Sequence, residues 1–334
     1  MSIHIFVFFA KNKKKNMIYR KVCEVARVRQ MHVRTDLALE ARESVGAVNP
    51  ELSGVKVTEE YREESDVKVT KVMIESKNAS KKLGKPMGIY VTLETPTLTE
   101  PDEGYHREIA REIARELQDI IRQIMERKVI GNKTERKVGN SVLVVGLGNR
   151  DVTADSLGPN VADHLYITKH MLTEFGPAAF EGKSVNKISC MVPGVMAKTG
   201  METAEIIRGI VSMDAPDFII AIDALAARST KRLNRTIQIT DTGIWPGTGV
   251  GNHRKALTKE SLGVPVIALG IPTVVDAATI VNDALGEKTY ECMDGMGELN
   301  NMYVTGKDID EIIRRISYTV SEGINLALKL PDKD

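Results

Sequence analysis

Aromatic residues make up only 4% of this 334-residue chain, with a single tryptophan, so its core must be built mainly from Val, Ile, Leu, Met and Ala. Cysteine is nearly as scarce. Cys23, Cys190 and Cys292 lie far apart without CxxC spacing, which excludes a disulfide framework and fits a reducing compartment. No apolar run approaches the roughly 18 residues that a membrane helix requires. The apolar stretch Ile3 to Ala10 is followed, not preceded, by lysines, the reverse of a secretory signal. A cytoplasmic location is expected, and Met17 or Met31 are alternative starts.

Several catalytic signatures are also missing. There is no G-x-S-x-G elbow, no H-E-x-x-H and no Cys/His zinc cluster. The six histidines are dispersed; His164 and His170 are expected to be solvated on a charged helix. Cys190 falls inside an apolar strand and reads as a structural thiol. The loop Gly243 to Asn252, rich in glycine, lacks the lysine of a phosphate-binding loop, so it is expected to line a cleft. The net charge of +1 hides an asymmetry: residues 1–36 carry nine basic residues against Glu24 and Asp36. A basic leader on an acidic body either lies on its own protein or is a disordered tail.

What is present centres on Val142-Leu143-Val144-Val145-Gly146-Leu147-Gly148-Asn149, running on to Asp155-Ser156-Leu157-Gly158-Pro159. An apolar strand leaves through a glycine turn into a segment, Asp155 to His170, whose apolar spacing predicts a helix. Open α/β sheets place their chemistry outside the carboxyl ends of such strands. The turn starts like a dinucleotide fingerprint, but Asp151 stands where the third glycine belongs and would repel a pyrophosphate.

In chain order, Val33 to Glu43 predicts a short helix entered at Thr35 or Asp36. From Gly54 to Ser76 charged and β-branched residues alternate as in a hairpin, with a slip between Val69 and Val72 that a bulge would explain. A lysine-rich turn, Lys77 to Lys85, leads to a strand at Gly88 to Glu94. A helix is predicted over Glu103 to Arg127 from its isoleucine stripe. Further strands are expected at 185–192, 218–222, 236–240 and 264–269, with helices at 203–213, 274–285 and 308–330. The fold class is α/β, a mostly parallel sheet flanked by helices with an additional β-rich portion at 54–100. A basic leader over 1–36 and a catalytic body over 37–334 complete the organisation.

Two acids stand out. Asp155 and Asp223 each follow an apolar strand, and neighbouring strands would aim both into one crevice. Two close carboxyls share a proton, so one activates water as base while the other protonates the leaving amide. The plainer reading makes Asp155 a helix N-cap and Asp223 a turn residue.

Across Val33 to Leu285 the chain resembles the germination protease family of spore-forming bacteria. The blocks that carry the resemblance are Val33-Arg34-Thr35-Asp36-Leu37-Ala38, Gly146-Leu147-Gly148-Asn149 with Asp155-Ser156-Leu157-Gly158-Pro159, Pro193-Gly194-Val195-Met196-Ala197 with Thr199-Gly200-Met201-Glu202-Thr203, Ile222-Asp223-Ala224-Leu225-Ala226-Ala227-Arg228, and Gly249-Val250-Gly251-Asn252. The resemblance implies an atypical aspartic endopeptidase with Asp155 and Asp223 catalytic. It places Gly148, Asn149, Pro193, Gly194, Gly249, Gly251 and Asn252 along the substrate cleft. It implies a zymogen processed at Asp36-Leu37, small acid-soluble DNA-coating spore proteins as substrates, a homotetramer, and a forespore and spore-core location. No cofactor, metal or nucleic-acid partner is implied. Arg150-Asp151 departs from the family's less acidic loop. The sheet and the G-x-G-N turn also look like those of hydrogenase maturation peptidases, which bind nickel with carboxylates. A metal-dependent maturation peptidase and a nucleotide-binding protein are therefore the alternatives. Glu108-Ile109-Ala110 and Glu112-Ile113-Ala114 also match the implied cleavage pattern, but a helix would hide them.

Overall fold

The computed structural model describes residues 37–40, 53–132, 139–247, 254–285, 299 and 302–329. Their strands form one sheet: β1 (Val55–Arg62), β2 (Val67–Ile74), β3 (Gly88–Glu94), β4 (Ser141–Gly146), β5 (Lys187–Met191), β6 (Phe218–Ala227), β7 (Thr236–Thr240), β8 (Val266–Asp276) and β9 (Tyr303–Val304). The order is β1-β2-β3-β7-β8-β6-β4-β5, with β9 pairing β8. Neighbours within β8-β6-β4-β5 run parallel. The β-rich portion continues the same sheet as antiparallel β1-β2-β3, which joins β8 through β7.

The parallel strands are apolar on both faces because both faces are covered. Val142, Val144, Phe218, Ile220, Ile222, Ile267 and Leu269 point to one side. There they meet the helices Glu103–Asn132 and Ile309–Leu328. Those two helices approach closely at Gly323, where a Cβ would stand 2.7 Å from Ile113 Cγ2. Leu143, Val145, Ile219, Ala221, Leu225 and Ala268 point to the other side, against Ala204 and Ile207 of the Thr203–Asp214 helix and against Leu37.

The expected bulge in β2 is absent, since its register with β1 and β3 runs unbroken from Lys68 to Ile74. The alternation slips because the covered face changes: Val67 and Val69 pack under the long helices, whereas Val72 and Ile74 pack with Ala79, Leu83 and Tyr90. Lys77–Leu83 is a helix, not a turn. Ser76 caps its first turn, its hydroxyl accepting from the Ala79 N–H, and Gly84 ends it in the left-handed region. Local capping outweighs the lysine-rich composition.

The segment from Asp155 to His170 is not one helix. Thr153–Asp155 is a short 3-10 turn, Leu157–Ala162 a helix, and Lys169–Phe175 a second one. His164 is half-buried, bonded at 2.8 Å to the Asn160 carbonyl and stacked near Tyr318, so it is not the solvated side chain expected; His170 is exposed. β6 and β8 both run past their expected ends. They pair through Leu225↔Pro272 and, after a register shift, Ala226↔Val274, so the residues after Pro272 stay in the sheet and the helix starts at Ala277. No helix of the described residues is long and apolar enough to cross a membrane.

Candidate active site

The glycine turn after β4 is shaped by backbone meeting backbone. A Cβ on Gly146 would lie 2.3 Å from the Gly158 carbonyl oxygen, and one on Gly158 2.3 Å from the Leu147 oxygen and 2.7 Å from the Ile222 oxygen. Gly148 adopts φ +116°, a region that L side chains rarely enter, with the Asp155 carbonyl against it. The Leu147 N–H donates to the Ile222 carbonyl at 2.8 Å, and the Asn149 N–H to the Asp155 carbonyl at 3.0 Å. Thr273 of β8 donates its hydroxyl to the Ala154 carbonyl at 2.6 Å. The turn bearing Asp155 is thereby tied to both β6 and β8.

Asp223 does not stand beyond its strand but within β6, opposite Gly270 of β8, and is 6% exposed. Its Oδ1 accepts from the Ala224 N–H at 3.0 Å. Asp155 precedes Ser156, which occupies the N-cap position of the Leu157–Ala162 helix. Neither acid therefore has the plainer role of helix cap or turn residue. Both line one cavity of about 260 Å³, together with Leu147, Gly148, Gly194, Arg254, Thr273 and Tyr303. Burial raises the Asp155 pKa above the ordinary aspartate value, held back by hydrogen bonding from the Asn149 amide and by the Arg254 charge.

Of the cleft residues expected from sequence, Gly148 and Gly194 line this cavity. Asn149 and Pro193 are not among the lining residues; Asn149 shapes the turn instead, its side-chain oxygen accepting from the Asp151 N–H at 3.1 Å. Gly249, Gly251 and Asn252 lie outside the described residues, although Pro246 and Gly247 of the same loop do line the cavity. Asp151 points elsewhere, into an exposed ion pair with Lys198. Cys190 is half-buried, and burial pushes its thiol up to about 11, which suits a structural role. Arg254, Thr273 and Tyr303 were not anticipated. Arg254 follows the glycine-rich loop two residues after Asn252, a basic side chain that could have signalled its place in the cleft.

Asp36 lies outside the described residues, but Leu37 is fully buried, packed in the cluster that holds Leu147 and Leu225. The Ala38 N–H donates to Gln238 Oε1 at 2.6 Å. Glu40 is 2% exposed, and its carboxylate accepts from the Arg228 and Ser229 amides at 2.9 and 3.2 Å, with Arg232 3.5 Å away. Glu94 holds that arginine from the other side at 2.8 Å.

The cavity, lined by two carboxyls, lies where open α/β sheets place their chemistry. The sequence model described as germination protease matches residues 33–290. A germination protease of Caldanaerobacter subterraneus subsp. tengcongensis is 42% identical over 324 residues, covering 89% of this chain and 94% of its own. One of Clostridium perfringens is 41% identical over 326 residues, covering 89% and 95%. Among solved structures, a [NiFe] hydrogenase maturation protease, HycI, from Thermococcus kodakarensis covers 55% of this chain and 92% of its own at 15% identity, with a TM-score of 0.29. At that score the likeness supports no conclusion. The chain belongs to the germination protease family. It is accordingly a peptidase of spore germination.

Proposed function

We propose that the chain is an endopeptidase in which Asp155 and Asp223 share one proton and cleave the peptide bond with water. One carboxylate takes a proton from water as its oxygen attacks the carbonyl carbon; the other donates its proton to the amide nitrogen as the C–N bond breaks. The observation that carries this reading is that both acids line one cavity from separate elements. The described lining residues include no serine, cysteine or histidine, and water is the nucleophile that a carboxyl pair activates. Desolvation at Asp155 favours its protonated form, as a shared proton requires.

The substrates under this reading are small acid-soluble, DNA-coating spore proteins, taken as protein and not as nucleic acid. Disorder in their free state suits a cleft that reads a short linear segment. The chain is a zymogen of the developing spore that removes residues 1–36 at Asp36-Leu37, and it works as a homotetramer. The seating of residues 37–40 supports a boundary at that bond, because tight packing is present immediately after it. The opposite charges of leader and body hold the two together, so raising salt speeds processing; a rate insensitive to salt counts against that contact. Glu108-Ile109-Ala110 and Glu112-Ile113-Ala114 survive because they lie inside the Glu103–Asn132 helix, with Ile109 and Ile113 fully buried.

The central test replaces each acid separately, Asp155→Asn and Asp223→Asn, confirms folding by circular dichroism, and incubates each variant with a small acid-soluble spore protein. Each variant is expected to lose activity by roughly 10²- to 10⁴-fold, the range of a positioned acid or base. A folded variant that cleaves at the parent's rate overturns the paired-carboxyl mechanism.

A further inference from the structure

We propose that Arg254 selects the substrate, its guanidinium pairing with an acidic side chain on the residue before the scissile bond. This rests on the peptidase reading of the cavity and adds to it the group that chooses the peptide. Apart from Asp155 and Asp223, the described lining is apolar, glycine or hydroxyl-bearing, and Arg254 is its one cation.

Four other arginines of the sheet region are already engaged. Arg62 is held by Glu112 and Glu116, Arg232 by Glu40 and Glu94, Arg150 by Asp163 and Arg127 by Asp241. Half-buried Arg254 makes no hydrogen bond or ion pair with any described residue; its charge is felt at Asp155 without a bond to it. A guanidinium presents five N–H donors in a flat fork that matches a carboxylate. With no protein acceptor among the described residues, those donors are left to water, which an entering carboxylate can displace.

Charge fixes the sign of the ligand. An acidic side chain entering a cavity that already holds two carboxyls would be repelled by them. With Arg254 present, the same side chain gains a charge-assisted pair. Proximity fixes its position. Arg254 lines the same cavity as Asp155 and Asp223, so the acid it takes is carried by the residue beside the bond those two work on. In this chain's own proposed processing bond, that residue is Asp36.

The test uses the processed protein, beginning at Leu37, and two synthetic peptides of residues 31–42, one natural and one with Asp36→Asn. Kinetics of Arg254→Gln and Arg254→Lys are compared with the parent, each first shown to melt as the parent does. Expected is a roughly 10- to 100-fold loss of kcat/KM for Arg254→Gln on the acidic peptide, with the asparagine peptide changed less than about threefold. Arg254→Lys falls between. An equal loss on both peptides overturns the proposal, because it makes Arg254 only a tuner of Asp155. Binding of labelled peptides to the Asp155→Asn variant, with and without Arg254→Gln, separates selection from chemistry. Charge-selective binding that requires Arg254 supports the proposal even where cleavage fails; binding indifferent to peptide charge overturns it.

Discussion

The strands β8, β6 and β4 carry apolar side chains on both faces, whereas β2 sets buried valines between exposed or half-buried lysines and β1, at the sheet edge, has no fully buried residue. The antiparallel side meets the long helix through charge as well as through Val67 and Val69. Arg62 lies between Glu112 and Glu116, whose side chains are 8% and 1% exposed, and Lys71 reaches Glu116 at 2.6 Å. Burial pulls the Arg62 pKa down, but hydrogen bonds to Glu60, Glu116 and Glu112 overcome it and the net shift is upward. On the parallel side Asp223 is the one buried charge within β4, β6 and β8, with Glu40 buried just past the end of β6. The difference teaches that one edge of the sheet spends its ionisable groups on structure while the other keeps them for the cavity.

Breaking this division gives a graded set of outcomes. The largest stability loss is expected from Arg62→Met, which strands two buried carboxylates and costs about 3–5 kcal/mol. Urea unfolding measures it, while activity per folded molecule stays at the parent's level. An equal loss of activity would join the two sides functionally. Gly158→Ala drives a Cβ into the Leu147 and Ile222 carbonyls and costs roughly 1–3 kcal/mol or more. Here activity falls beyond what unfolding explains, because the Asp155 turn must shift. Glu40→Gln removes the charge from a carboxylate that accepts two amides near Arg232, and a loss of about 1–2 kcal/mol is expected.

The smallest effect concerns pH. Asp155 has a folded pKa above its unfolded value, so between the two the folded state holds the proton more tightly and stability falls as pH rises. Asp155→Asn removes that loss. The variant is expected to melt above the parent at neutral pH, with the gain shrinking as the solution is acidified through the Asp155 pKa. A gain of the same size at every pH would assign it to something other than ionisation.

Much of the parallel side was legible in sequence because continuous apolar strands such as Phe218 to Ile222 have few other ways to be buried. The glycine turn and the isoleucine stripe of the long helix were legible for similarly local reasons. Strand ends were not. Asp223 reads as a terminus because it is charged, yet pairing with Gly270 keeps it in the ladder, and Pro272 reads as a helix start although β6 and β8 continue past it. The slip in β2 concealed a change of covered face, which depends on two helices distant in sequence. In the cavity, Gly148 and Asp155 belong to a local motif. Arg254, Thr273 and Tyr303 reach it from segments whose own patterns say nothing about that neighbour.

Strand β8 contributes no acid to the described cavity lining, yet both acids are measured from it. Asp223 is fixed laterally by its place opposite Gly270, and the Asp155 turn is fastened by the hydroxyl of Thr273, three residues further along. The strand thus serves as a ruler between them, so removing a single hydroxyl, far smaller than either carboxyl, can reset their spacing while leaving every ionisable group in the cleft intact.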